Sequence, residues 1–159
     1  MRDDERERYL RMALEEGVRG ARAGRGGPFG ALVVQGDRVL AAACNEVTSR
    51  NDPTAHAEIQ AIRAACELLG GFQLTDCDVY ASCEPCPMCL GAIYWARPRA
   101  VFFSATREDA AEAGFDDAFV YEELALPPGA RTLPMRRVVH PEAQGPFLAW
   151  AAKPDRVEY

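Results

Sequence analysis

The stretch Ser82-Cys83-Glu84-Pro85-Cys86-Pro87-Met88-Cys89 decides how the rest of the chain is read. It holds three of the chain's six cysteines, and upstream lies His56-Ala57-Glu58, which contains one of only two histidines. Cys86 and Cys89 are three positions apart, so from one face of a helix both can reach a single ion. In a first helical turn each thiolate also feels the positive end of the helix, which lowers its pKa. His56 and Glu58 are two apart and would diverge from the middle of a helix. They converge on a metal only if their helix points end-on at it, and a helix starting near residue 56 meets that condition.

The implied ligand set is His56, Cys86 and Cys89, with the fourth position left to water. Three protein ligands plus water make a catalytic zinc site, whereas a structural site is closed by four. Zinc so held, one per subunit, supplies hydroxide near neutrality. Glu58 is then more useful as a proton carrier than as a ligand. Cys83-x-x-Cys86 is an equally good CxxC, so a non-catalytic zinc module closed by Cys83 is one alternative. A thiol redox pair is another, though Pro85 and Pro87 fit it poorly. The joint occurrence with His-x-Glu at a helix start favours the catalytic site, with Cys83 as a packed thiol. Cys44, Cys66 and Cys77 fall in apolar segments and read as core; His140 reads as a surface residue.

Outward from the site, residues 3–23 read as a helix with acidic residues early and glycine breakers after it. Residues 29–35 and 38–44 form apolar runs around Gly36-Asp37, a β-hairpin. The polar segment 45–55 reads as a loop in which Asp52, with Pro53 at the first helical position, or Thr54 caps a helix over about 56–69. Residues 77–82 read as a strand and 86–95 as a helix. The continuous apolar run 100–105 reads as a central strand covered on both faces. Residues 106–113 suit a short helix, 131–139 an edge strand interrupted by Pro134, and 147–152 a further helical turn or two. Five strands interleaved with helices imply an α/β fold: a mixed five-stranded sheet with helices on both faces, its ligand site at the edge where the connecting loops gather.

Length fits one domain spanning 1–159. No apolar run is long enough to cross a bilayer and the first residues are charged rather than signal-like, which points to a cytoplasmic protein with reduced thiols. The net charge of −6 argues against a polyphosphate partner, which needs a basic surface. It favours a small neutral substrate, although acidity serves solubility equally well.

His-x-Glu followed by Pro-Cys-x-x-Cys is the signature of zinc-dependent base deaminases, and the chain resembles the cytidine deaminase-like superfamily. Within it, the chain resembles the bacterial guanine deaminases. The resemblance runs through Gly26-Gly27-Pro28-Phe29-Gly30-Ala31, Asn51-Asp52-Pro53-Thr54-Ala55-His56-Ala57-Glu58, residues 82–98, Ala113-Gly114-Phe115-Asp116-Asp117 and the terminal Glu158-Tyr159. His-Ala-Glu and Pro-Cys-Pro-Met-Cys are shared with tRNA adenosine deaminases. Tyr94-Trp95, Gly-Phe-Asp-Asp and the terminal tyrosine are what look like guanine deaminase.

The resemblance implies a three-layer α/β/α fold and a homodimer exchanging its C-terminal segment, about 140–159, so that Tyr159 closes the partner's site. It implies His56, Cys86 and Cys89 as zinc ligands, Glu58 as general acid/base and Asp117 as a second proton shuttle. Phe29 would stack on the purine, Asn45 would hydrogen-bond to it, and Ala57 and Trp95 would line its pocket. Read from the residues alone, Phe29 and Trp95 suit a core, Asn45 a strand end and Asp117 a solvated surface. The implied reaction is hydrolysis of guanine to xanthine and ammonia, with zinc-bound hydroxide attacking C2. Alternatives in the same class are guanosine or another nucleoside, an ammeline-type triazine, cytosine and tRNA adenosine.

Overall fold

The computed structural model describes residues 3–158 and separates into two compact units, Met1–Asp117 and Ala118–Tyr159. In the first, helix α1 (Asp3–Arg22) precedes a hairpin of β1 (Gly30–Gln35) and β2 (Arg38–Cys44). A short helix α2 (Val47–Arg50) follows, then α3 (Ala57–Leu69), β3 (Cys77–Cys83), α4 (Pro87–Ala96), β4 (Ala100–Ala105) and α5 (Arg107–Glu112). The sheet order is β2-β1-β3-β4. β1 is antiparallel to β2 and to β3, while β3 and β4 run parallel across the α4 connection.

Strand alternation builds a layer on each face of the sheet. Leu32, Val34 and Tyr80 point to one side, where Tyr9 and Ala13 of α1 cover them. Tyr80 lies between the rings of Tyr9 and Phe102, at centroid distances of 5.1 and 5.0 Å. Ala31, Val33, Cys77 and Val79 point to the other side, against Ala57, Ala61 and Ala65 of α3 and Ala96 of α4. The four-residue alanine spacing gives α3 a flat stripe with no side chain to hold it off the sheet. α1 comes closer still: a Cβ on Gly30 would stand 2.1 Å from the carbonyl oxygen of Ala13, so only glycine fits there.

Several expectations require correction. The sheet has four strands, because among the described residues 131–139 form no strand. Pro134 and the lack of regular alternation leave that segment nothing to pair with. β4 is an edge strand rather than a central one, with Phe103 and Ser104 exposed. The loop 45–55 contains α2, and α3 begins at Ala57 with His56 at the N-cap. Asp52 does not cap α3; its carboxylate accepts from the backbone N–H and hydroxyl of Thr54.

The second unit holds α6 (Ala118–Ala125), a 3₁₀ turn (Pro128–Ala130) and α7 (Gly145–Ala152). None of these elements has a buried residue, although Phe119, Phe147 and Leu148 are large and apolar. Among the described residues no helix is long and apolar enough to cross a membrane.

Candidate metal centre and binding cavity

The sheet brings two helix N-termini to one place. His56 is the N-cap of α3 and Cys86 the N-cap of α4, each with extended backbone. The Nδ1 atom of His56 lies 3.5 Å from the Cys86 sulfur and 3.4 Å from the Cys89 sulfur. Zn–S and Zn–N bonds of ordinary length, set at tetrahedral angles, require a sulfur–nitrogen separation of roughly 3.5 Å. The three donor atoms all lie within 4.8 Å of one another and form the His/Cys/Asp/Glu cluster able to hold an ion among the described residues. Two thiolates and an imidazole suit zinc, so the donor set fits.

Protonation follows from this crowding. The Cys86 thiol is pulled down to about 4, first by the hydrogen bond from the Cys89 thiol and then by that with His56. Cys89 moves far upward, because its proton is held against the Cys86 sulfur and because it is buried beside Glu58. The hydrogen bond to Cys86 also raises His56. Cys86 thus favours the thiolate and Cys89 the thiol, and a metal bound by both sulfurs has to displace the remaining proton.

Glu58 sits in the first turn of α3, buried, with its carboxylate 3.5 Å from the Cys89 sulfur. Burial pushes its pKa above the usual carboxylate range. A carboxyl that holds its proton more firmly than in water is suited to pass one on near neutral pH.

Cys83 stands apart from this cluster. Its thiol donates to the Thr106 carbonyl at 3.3 Å, and burial raises it to about 11. The closed four-ligand site is thereby disfavoured. Replacing Cys83 with serine, which can donate to the same carbonyl, leaves zinc at one per chain by metal analysis; loss of the metal would make Cys83 a ligand after all.

The metal cluster opens into a cavity of about 380 Å³ lined by Phe29, Asn45, His56, Glu58, Cys83, Cys86, Phe115 and Asp117, among others. Phe29 and Phe115 meet edge to face at 5.0 Å, giving the cavity an aromatic wall. Partial burial raises the Asp117 carboxyl, helped by the nearby Cys86 charge. The Oδ1 atom of Asn45 accepts from the backbone N–H groups of Gly27 (3.1 Å) and Val47 (3.2 Å). With its oxygen occupied, this amide has only N–H donors left to offer a ligand.

The structure thus brings Phe29, Asn45, Glu58 and Asp117 together at the metal cluster. Ala57 and Trp95 are not among the lining residues. Ala57 packs into the core under α3. Trp95 is 63% exposed near the C-terminal end of α4. Because α4 points its first turn at the site, nine residues of helix carry Trp95 roughly 13 Å along the axis from Cys86. Tyr159 lies outside the described residues. Phe115 was not singled out from the sequence as a contact, although its place two residues before Asp117 was a usable signal.

Residues 3–105 match the family described as the cytidine and deoxycytidylate deaminase zinc-binding region. The guanine deaminase of Bacillus subtilis (strain 168) is 54% identical over 153 residues, covering 96% of this chain and 98% of that protein. A tRNA-specific adenosine deaminase of Agrobacterium fabrum is 44% identical over 101 residues, 64% of this chain and 66% of that one. The X-ray structure of guanine deaminase from Bacillus subtilis superimposes with a TM-score of 0.95 at 52% identity, covering 100% of this chain and 99% of that chain.

Proposed function

The chain belongs to the deaminase family that carries the cytidine and deoxycytidylate deaminase zinc-binding region, and from that premise we propose that it hydrolyses guanine to xanthine and ammonia. The observation that carries this reading is the convergence of Phe29, Asn45, Glu58 and Asp117 on one cavity beside the metal cluster. The B. subtilis relative matched over nearly its whole length bears the name guanine deaminase, which supports the same substrate.

His56, Cys86 and Cys89 would hold the zinc, which when bound supplies the Lewis acidity that makes water nucleophilic near neutral pH. Phe29 covers one face of a flat purine. The Asn45 N–H pair meets an acceptor edge. Guanine offers its O6 and N7 acceptors there, whereas adenine places an amine donor at position 6. Glu58 takes the proton of the attacking water and delivers it to the ring nitrogen beside C2. The buried, upward-shifted carboxyl suits that exchange. Asp117 faces the same cavity and carries a proton to the departing amine.

An ammonia-release screen of the zinc-loaded protein on guanine, guanosine, adenine, cytosine and a triazine tests the reading. Guanine should react at least a hundredfold faster than adenine, because adenine in the same pose sets an amine against the Asn45 donors and presents C2–H, with no amine to lose, to the attacking water. Equal or faster turnover of another substrate would overturn it.

We further propose a cytoplasmic homodimer in which the C-terminal segment of each chain lies on its partner and Tyr159 closes the partner's cavity. The support is the second unit's composition: Phe119, Val138, Val139, Phe147 and Leu148 are all more than 60% exposed, a density of bare apolar surface that ordinarily marks an interface. Analytical ultracentrifugation should find a dimer at micromolar concentration.

A further inference from the structure

Glu46 is a buried carboxylate that does not line the cavity. A carboxylate taken out of water is costly unless its oxygens are fully partnered, and these are. One oxygen accepts from the Arg25 guanidinium. The other accepts from Arg50 and, at 2.7 Å, from the Gln60 amide. The Glu46 backbone N–H donates to the Ala55 carbonyl at 2.9 Å, and its own carbonyl accepts from the Arg50 N–H at 3.0 Å.

These partners sit on the three segments that form the wall around Asn45. Arg25 belongs to the loop leading to Gly27 and Phe29, Arg50 to α2, and Gln60 to α3 two residues beyond Glu58. The same loop and α2 are also joined by Ser49, whose N–H donates to the Arg25 carbonyl at 3.2 Å. Asn45 lies at the centre of this arrangement. Its N–H donates to the Phe29 carbonyl at 2.9 Å, and its Oδ1 is held by Gly27 and Val47. The loop backbone rests directly on the amide: a Cβ on Gly26 would stand 2.3 Å from Oδ1. The orientation of the Asn45 amide therefore depends on two backbone N–H groups whose segments are clamped together by one carboxylate.

We propose that Glu46 is a positioning residue for base recognition, fixing the residue 25–27 loop against α2 and α3 so that Asn45 keeps its N–H pair turned to the cavity. This rests on Asn45 binding the purine as described above. Glu46 touches neither the metal cluster nor the reacting atoms, so its removal disturbs binding more than chemistry.

The test is steady-state kinetics on guanine with the zinc-loaded full chain, together with metal content and Tm for every variant. Glu46→Gln keeps the side chain's size but turns an amide donor toward the arginines. It should raise KM at least tenfold and change kcat less than threefold. Placed on an Asn45→Ala background, it should change KM by less than twofold, because the group it positions is already gone. An unchanged KM in the single variant, a loss confined to kcat, or independent multiplication of the two effects would overturn the proposal. If Glu46→Gln does not fold, Arg25→Ala, at a half-exposed side chain, reads the same coupling. It should raise KM at least threefold, and that rise should vanish on the Asn45→Ala background; an unchanged KM there overturns the proposal as well. Absence of guanine turnover in the unsubstituted protein would instead bring down the functional reading itself.

Discussion

Glu58→Gln leaves zinc bound at one per chain and lowers kcat by about a hundredfold to ten-thousandfold, the range that a positioned proton carrier contributes. The substitution keeps the side chain's shape. Residue 58 is not one of the three cluster donors, so the metal cluster should stay intact. What disappears is the titrating group. An amide cannot take a proton from water and return it to the ring. Asp117 lines the same cavity but is only partly buried. Asp117→Asn should therefore cost less than Glu58→Gln. Metal analysis beside single-substrate kinetics checks the expectation, and an active, zinc-replete Glu58→Gln protein would remove Glu58 from its assigned role.

Removing the metal gives the second large effect: turnover is lost and Tm falls by about 8–16 °C. A ligand at a thousandfold excess over its Kd adds about 4 kcal/mol to the folded state, and a chain of this length gains about 2–4 °C per kcal/mol. The sign of the pH dependence follows from the thiols. Cys89 is held protonated next to the Cys86 sulfur, so zinc must displace that proton, and affinity falls as pH falls. A chelator of fixed strength should accordingly strip the protein more completely at pH 6 than at pH 8. Both activity and Tm should return when zinc is restored. A chelated, metal-free chain with full activity would contradict the assignment of His56, Cys86 and Cys89.

The clustering of His56, Cys86 and Cys89 was legible in the sequence because its geometry is local. Three-residue spacing and a helix start are properties of short segments, and the structure places both at helix N-caps. The hairpin around Gly36 and the end of α3 at Gly70 are local in the same way, each with its glycine at positive φ. The misreadings arise where identity depends on a distant partner. An apolar run such as Ala100–Ala105 looks the same in a central strand and in an edge strand, since only the neighbouring chain segment decides. The Asn45 amide is fixed by Gly27 and Glu46 by Arg25, contacts across 18 and 21 positions that no short window contains.

The alanine stripe of α3 has a further consequence. Ala57, Ala61 and Ala65 are fully buried against the sheet, so the helix bearing His56 and Glu58 is seated by the absence of side-chain volume rather than by interlocking groups. A site built this way is robust to surface change and brittle to growth from behind. Adding methyl groups at Ala61 costs a tolerable amount of stability, about 1–3 kcal/mol, yet any tilt that relieves the crowding swings both reactive side chains at once. Among variants of this chain, catalytic failure should therefore appear well before misfolding along that stripe, and enlarged residues there should be inherited only with compensating losses on the facing strands.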